Sequence, residues 1–374
     1  LSTVPNLSVK GHSLFLLICF SLLCACPVLK AQQFTVGDGN IQINNAFFGG
    51  LNSGSSITFE GELKVTDAGL NGVAVDIDPE VSGLTMTFES SSNTTADLSG
   101  VVAVSLDGLL ENNGTISGNL SGVEIEESLD GIIRNNGTIL GGFEGIFIGD
   151  ASGSIVNNGT IKSGDTGIYI LTNFAGDIFN CGVIEGSEFA GIDGISSPGV
   201  ITNYGGRITG RDFSINLLGA PSTVILSGPS HLQGPISLAR GPEGSLFPDQ
   251  VVRFENIRGV NPAKKAELEA LAIADPSTES IVLFGETIAW ENVSDIQVNP
   301  ASLASYDGLI SGVGLENYAS ALDNVQGLTD EFREFLKALN DADVSILNDI
   351  VANSSGQTLQ NTVRDFARQQ DINF

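Results

Sequence analysis

Leu109-Leu-Glu-Asn-Asn-Gly-Thr-Ile116, Ile132-Ile-Arg-Asn-Asn-Gly-Thr-Ile139 and Ser154-Ile-Val-Asn-Asn-Gly-Thr-Ile161 are three statements of one phrase. Two looser copies follow, Asp177-Ile-Phe-Asn-Cys-Gly-Val-Ile184 and Gly199-Val-Ile-Thr-Asn-Tyr-Gly-Gly-Arg-Ile208. Their leading asparagines, Asn112, Asn135, Asn157, Asn180 and Asn203, stand 23, 22, 23 and 23 residues apart. A second register keeps step: Gly100-Val-Val, Gly122-Val-Glu-Ile, Gly145-Ile-Phe-Ile, Gly167-Ile-Tyr-Ile and Gly191-Ile.

A period in the low twenties implies a solenoid in which one repeat is one coil, too small to bury its apolar face alone. The repeats carry no fixed leucine framework and no helical stretch. They offer short Val/Ile segments with period-two alternation, cut by Gly and Asn-Gly. The expected fold is therefore all-β, a parallel β-helix. Stacked at about 4.8 Å, the five asparagine amides are expected to form a ladder, and Ile116, Ile139, Ile161, Ile184 and Ile208 an apolar row inside. Gly114, Gly137, Gly159 and Gly182 mark a tight corner where a positive φ is expected, and Gly205 belongs to the fifth copy of the repeat. This is a structural assignment. No residue is given a catalytic, cofactor-binding or metal-binding role.

The pattern apolar-x-Asn-x-Gly-x-Ile-x-Gly, with Gly-Ile-x-Ile about ten residues later, resembles the β-helical passenger domains of bacterial autotransporters. That resemblance and the general preference of parallel crossovers imply a right-handed coil. It covers 100–210 well and is specific for coil geometry rather than for activity. Two later stretches are similar to passengers as well: Phe284-Gly-x-Thr-x-x-Trp-x-Asn292, and the helical stretch containing Ala321-Leu-Asp323 that in autotransporters leads towards a translocator barrel. Such a barrel needs about a dozen amphipathic strands of roughly ten residues, and none is read up to Phe374. The resemblance is to a passenger lacking that barrel, so truncation and export by another route both stay open.

Around the repeats the chain divides into 1–31, 32–99, 100–314 and 315–374. The first segment reads as a signal peptide, with Lys10 and His12 before the apolar run 14–25, too short for a stable span. Leu29-Lys30-Ala31 offers cleavage before Gln32; Leu23-Cys24-Ala25-Cys26 also resembles a lipobox, which would lipidate Cys26. Residues 32–99 read as an N-terminal cap and irregular first coils, with 90–95 as a polar loop. The β-helix then runs to 314 with a short helical insertion near 262–273, where Asn261 caps and Pro262 opens the first turn. From 315 to 374 the period is helical, with Thr329 as a cap ahead of Phe332, Phe335, Leu336 and Leu339.

Three of the four cysteines, Cys19, Cys24 and Cys26, lie in the signal, leaving Cys181, in the second asparagine slot, with no internal disulfide partner. The chain carries a net charge of −28; removing Lys10 and Lys30 from the 16 basic residues leaves 14 against 44 acidic ones, a net −30. Such a field repels nucleic acid and anionic lipid and attracts divalent cations, although Glu124, Glu126, Glu127 and Asp130 form no EF-hand loop or Gly-Gly-x-Gly-x-Asp repeat. No transmembrane span is read in the mature chain.

Enzymatic β-helices align a basic residue, calcium-binding aspartates or an aspartate cluster along one face. Here Arg134, Lys162 and Arg207 occupy different repeat positions, and the mature chain has one histidine, His231, read as a corner residue and the only candidate for a Ser-His dyad. Asp165, Glu185, Glu188 and Asp193 remain as carboxylates that adjacent coils would present at glycosidase-like separations. The expectation is an exported protein, extracellular or on the outer cell surface, acting by adhesive or structural display without catalysis. Its contacts would be surface glycans or proteins of a host or neighbouring cell, made through corners at 90–97 and 241–249. The alternative is a polysaccharide-active enzyme, a glycoside hydrolase or lyase.

Overall fold

In the computed structural model the described residues are 83–347, apart from 197–198, 220–221, 239–248, 273–279, 311–315, 326–327, 345–346, together with the strands Gln33–Val36, Ser56–Phe59, Glu62–Val65 and Val75–Ile77. The expected signal peptide, the lipobox at Cys26, nearly all of the corner at 241–249 and the last helical stretch lie outside them.

The chain winds as a parallel β-helix with three long sheets. One coil gives a strand to each in turn: Ile132–Asn135 to the first sheet, Thr138–Gly141 to the second and Glu144–Ala151 to the third. The next coil repeats this with Ser154–Asn157, Thr160–Ser163 and Thr166–Phe174. Short strands make two narrow sides, and the longer strands of the third sheet make a broad one.

Register explains why the period is kept. Asn135 stands beside Asn112 and Asn157, and Asn180 beside Asn157 and Asn203, with identical alignment along the first sheet. In the second sheet Ile116, Ile139, Ile161, Ile184 and Ile208 align the same way. All five isoleucines are fully buried, so each coil buries its apolar side against identical neighbours above and below. A full isoleucine burial contributes about 1.5–3 kcal/mol, and the row repeats it once per coil.

The glycines of the asparagine corner are needed for a different reason from the one the sequence suggests. Gly114, Gly137, Gly159 and Gly182 are absent from the positive-φ glycines; within the column only Gly205, at φ 62°, adopts a left-handed conformation. What excludes a side chain is stacking: a Cβ on Gly137 would lie 2.1 Å from the carbonyl oxygen of Gly114, and one on Gly159 2.1 Å from that of Gly137. The corner is a column of backbones in direct contact, and only a residue without a Cβ fits.

The polar stretch expected as a loop at 90–95 is also different. Asn93–Ala96 is a strand of the second sheet, pairing with Thr115–Gly118 and with Glu62–Val65. Thr94 takes the inward position beside Ile116 and is fully buried. Threonine is β-branched and suits a strand, so the hydroxyl hides an ordinary coil position.

After 210 the coils change. In register with Asn203 come Leu226, Phe254 and Val298, which ends the asparagine column. The Phe284-Gly-x-Thr motif folds as an antiparallel hairpin, Ser280–Leu283 with Glu286–Glu291. Its two-residue turn, Phe284 at φ 53° and Gly285 at φ 78°, has both centres left-handed, as a type I′ turn requires. Helix α1, Pro262–Leu271, begins at Asn261, whose side chain accepts from the Lys264 amide, and packs Leu268 and Leu271 inward beside the strand Asp295–Val298. Helix α2, Glu316–Asp323, ends in the Ala-Leu-Asp segment, where Asp323 accepts from the backbone N–H groups of Tyr306 and Asp307.

Helix α3, Asp330–Asp341, is capped by Thr329 and lies across the corner between the first two sheets. Phe332, Leu336 and Leu339 join the common core. Arg333, 4% exposed, bonds Glu286 at 3.0 Å and the Pro229 carbonyl at 3.1 Å. Lys337 reaches the Cys181 carbonyl, and the Tyr204 hydroxyl bonds Asp341.

Candidate functional site: the outer face of the third sheet

Sorting polar residues by sheet separates the charges. Arg134 and Arg253 lie on the first sheet, Lys162 and Arg207 on the second. Arg134 stands 3.6 Å from Glu111, Lys162 2.7 Å from Glu185 and Arg207 4.0 Å from Asp330. The strands of the third sheet contain no lysine, arginine or histidine, yet they carry Glu124, Glu126, Glu127, Glu144, Asp150 and Asp193.

On this face five carboxylates accept from neutral donors, and Glu286, at the end of the sheet, pairs with Arg333 and His231 instead. Ser99 donates to Glu124 at 2.5 Å, Ser121 to Glu144 at 3.3 Å, Asn173 to Asp150 at 2.9 Å, Asn216 to Asp193 at 2.7 Å and Ser237 to Glu291 at 2.7 Å. Each donor belongs to a neighbouring coil. The outward column reads Glu124, Phe147, Tyr169, Asp193, Asn216, with the Phe147 and Tyr169 rings 5.8 Å apart. A rigid strip of acid, two aromatics and acid results, its side chains set at the strand spacing.

The electrostatics follow from having no cation. Burial raises the Glu144 carboxyl above its ordinary value, the Ser121 bond partly offsetting this, and the charges of Asp165 and Glu124 push it further. Burial likewise raises Asp193, against the Asn216 bond, with Asp165 adding to it. The Tyr169 phenol is pushed up by burial and by Asp193 and Glu144.

The four carboxylates singled out in sequence are thus divided. Asp165 occupies the corner entering the third sheet, its backbone bonded to Phe143 and Phe189, and shares its field with Asp193 and Glu144. Glu185 faces another side, paired with Lys162. Glu188 sits in the corner beside Arg211 and Asp212, close enough to raise the Arg211 guanidinium, whose main partner is Asp212. The other acidic group is likewise spread out: Glu126 and Glu127 ride an irregularity in the strand, while Asp130 accepts from Ser128 and Ser152 at the next corner. Among the described residues no group of three or more His, Cys, Asp or Glu side chains is placed to hold a metal ion. Among them, too, no helix is long and apolar enough to cross a membrane.

His231 is not a corner residue. It begins the strand His231–Gln233, with Nδ1 2.5 Å from Glu286. The adjacent Ser230 hydroxyl lies 2.7 Å from the Asn203 carbonyl and 2.8 Å from that of Ser227. The two side chains turn to different partners, so they form no nucleophilic dyad. Cys181 is half-buried, its thiol pushed up mainly by burial, which suppresses the reactive thiolate.

The buried amide column consists of four bonds of 2.8 Å, from Asn112 to Asn135, Asn135 to Asn157, Asn157 to Asn180 and Asn180 to Asn203. A second column outside it runs the other way: Asn158 donates to Asn136 and Asn136 to Asn113. Cys181 occupies the next place and cannot continue it. Comparison with known proteins finds no matching family model, no matching curated protein and no matching solved structure.

Proposed function

We propose that this chain is a passenger-like protein of the autotransporter type, exported to the cell exterior, whose β-helix presents a binding surface and performs no catalysis. The observation that carries the reading is the third sheet, whose strands carry no lysine, arginine or histidine and where Glu124, Glu144, Asp150, Asp193 and Glu291 are tied by serine and asparagine donors of neighbouring coils into fixed positions. Groups held in this way keep their positions along the rod, which suits presentation to surface glycans or proteins of another cell, or to divalent cations. A signal peptide in 1–31 would supply the export route. Protease shaving and antibody labelling of intact source cells test it: the reading predicts a labelled, shaveable chain, and a chain protected until the cells are lysed contradicts it.

One observation favours the second reading, a glycoside hydrolase or lyase. The Glu144 and Asp193 carboxyls are both raised by burial, with the charge of Asp165 adding to each, and glycosidases work with carboxyl groups whose environments shift them in this direction. Incubating the purified chain with a polysaccharide panel separates the two. New reducing ends or unsaturated products, lost in Glu144→Gln or Asp193→Asn, would establish the enzyme; binding without products supports display.

A further inference from the structure

Between α3 and the last coils lies a cleft of about 400 Å³, lined by Tyr204, Asn256, Arg258, Ser302, Asn340 and Asp341, with Leu309 among its few apolar residues. This is within the range of small-ligand sites, about 300–1,000 Å³. We infer that this cleft binds a neutral, hydroxyl-rich ligand, one ring of an uncharged oligosaccharide, with the Phe179–Tyr204 pair as its aromatic platform.

The walls are fixed before any ligand arrives. Arg258 Nη1 donates to the Leu339 and Ala342 carbonyls at the end of α3, at 2.8 and 2.6 Å, a favourable place for a cation. Asn340 accepts from the Arg258 backbone N–H and donates to the Tyr204 hydroxyl, which in turn bonds Asp341. Ser302 accepts from the Asn256 amide. These contacts leave Arg258 Nε and Nη2, the Asn256 side-chain amide and the second Asp341 oxygen without a protein hydrogen bond among the described residues. A planar donor pair, an amide and a carboxylate are thus gathered in one cleft.

That set selects by charge. Arg258 and Asp341 cancel each other, so an anionic ligand meets Asp341 and the acidic field of the whole chain, while a cationic one meets Arg258. A sugar ring satisfies both: its hydroxyls donate to the carboxylate and accept from the guanidinium. Tyr204, in the lining, stacks on Phe179 outside it, with centroids 6.0 Å apart and planes 19° apart, and Phe179 is 38% exposed. An exposed aromatic face beside convergent polar groups fits the apolar C–H side of a sugar ring. The site needs both the coils and α3, and it does not depend on export or on the third sheet.

The test is calorimetric titration of the purified full chain with maltotriose, cellotriose and laminaritriose, set against triglucuronate and triglucosamine. The inference predicts saturable binding of at least one neutral trisaccharide, at least about tenfold tighter than either charged one. Ala301→Trp, at an exposed position lining the cleft, and Asp341→Asn should each weaken it by about tenfold or more while melting like the native chain. Phe179→Ala, outside the cleft, should weaken it by a smaller factor and serves as the second variant if Ala301→Trp does not fold. Flat titrations with all three neutral sugars, equal or tighter binding of a charged one, or undiminished binding by folded Ala301→Trp and Asp341→Asn would overturn it.

Discussion

The coils from 100 to 210 and the end of the rod from 211 to 347 use the same three sheets but are locked in different ways. In the first region every amide-to-amide bond of the buried column joins residues 22 or 23 apart, and any coil resembles its neighbours. In the second the locks are single and distant: Arg333 with Glu286, 47 residues apart, Tyr204 with Asp341, 137 apart, and Lys337 with the Cys181 carbonyl, 156 apart. The column ends where its next register positions turn apolar, at Leu226 and Phe254, and on the other side at Phe88, stacked on Phe59. A repeating amide column needs identical neighbours; where the repeat fails, a helix brought back from later in the chain supplies the polar partners.

The contrast breaks most visibly at Arg333. Replacing it with alanine leaves the Glu286 carboxylate buried beside His231, and removing one partner of a buried pair costs about 3–5 kcal/mol. Trp290, the single tryptophan and 2% exposed, reports on this end of the rod. Urea unfolding of Arg333→Ala should show the fluorescence change well before the circular-dichroism change; coincident transitions would mean that the two regions are one cooperative unit. Ile161→Ala strikes the repeating coils instead. It should cost about 2–5 kcal/mol through lost burial and the cavity left, with the circular-dichroism midpoint falling at least as far as that of Trp290.

A finer comparison lies between neighbours in one corner. Asn157→Ala takes the donor from the buried Asn180 oxygen, while the Asn135 amide keeps the Thr160 carbonyl at 3.1 Å; the expected loss is about 1–3 kcal/mol. Asn158→Ala, in the exposed column, should change stability by less than about 0.5 kcal/mol. Similar losses at both sites would remove the distinction between the inner and outer columns.

Acid titration sharpens the contrast with the smallest effects. Burial alone would raise the Glu286 carboxyl, but His231 and Arg333 outweigh it and hold the carboxyl below its ordinary value. Its stabilisation is therefore present above the ordinary carboxylate value and lost as pH falls through the lowered one. Glu144 and Asp193 have the opposite sign: with raised folded values, their contribution is present in acid and lost as pH rises through those values. Glu144→Gln should thus stabilise by a few tenths of a kcal/mol at neutral pH and not at pH 3. Thermal melts across that range measure it, and an equal shift at both pH values would contradict it.

Periodicity made the coils legible. Asn112 through Asn203 and Ile116 through Ile208 can be aligned by eye, since each contact recurs at the spacing of the motif itself. The glycines at 114, 137, 159 and 182 were legible as corners but not for their cause, because crowding by the coil below leaves no mark distinct from a left-handed turn. Asn93–Ala96 was hidden by its threonines. The charge asymmetry was available once residues are sorted by register, since the Gly-Ile-x-Ile segments contain no lysine or arginine. The cleft was out of reach: Arg258, Asn340 and Tyr204 meet across 82 and 136 residues, and nothing local to any of them signals the others.

Hydrogen exchange of side-chain amides, read by NMR on asparagine-labelled protein, goes most directly to whether successive coils are joined through their buried asparagines. Slow exchange is predicted for the Nδ2 protons of Asn112, Asn135, Asn157 and Asn180, with fast exchange at Asn136 and Asn158. Exchange at solvent rates for the first four would mean that the amides are not stacked and the column does not exist.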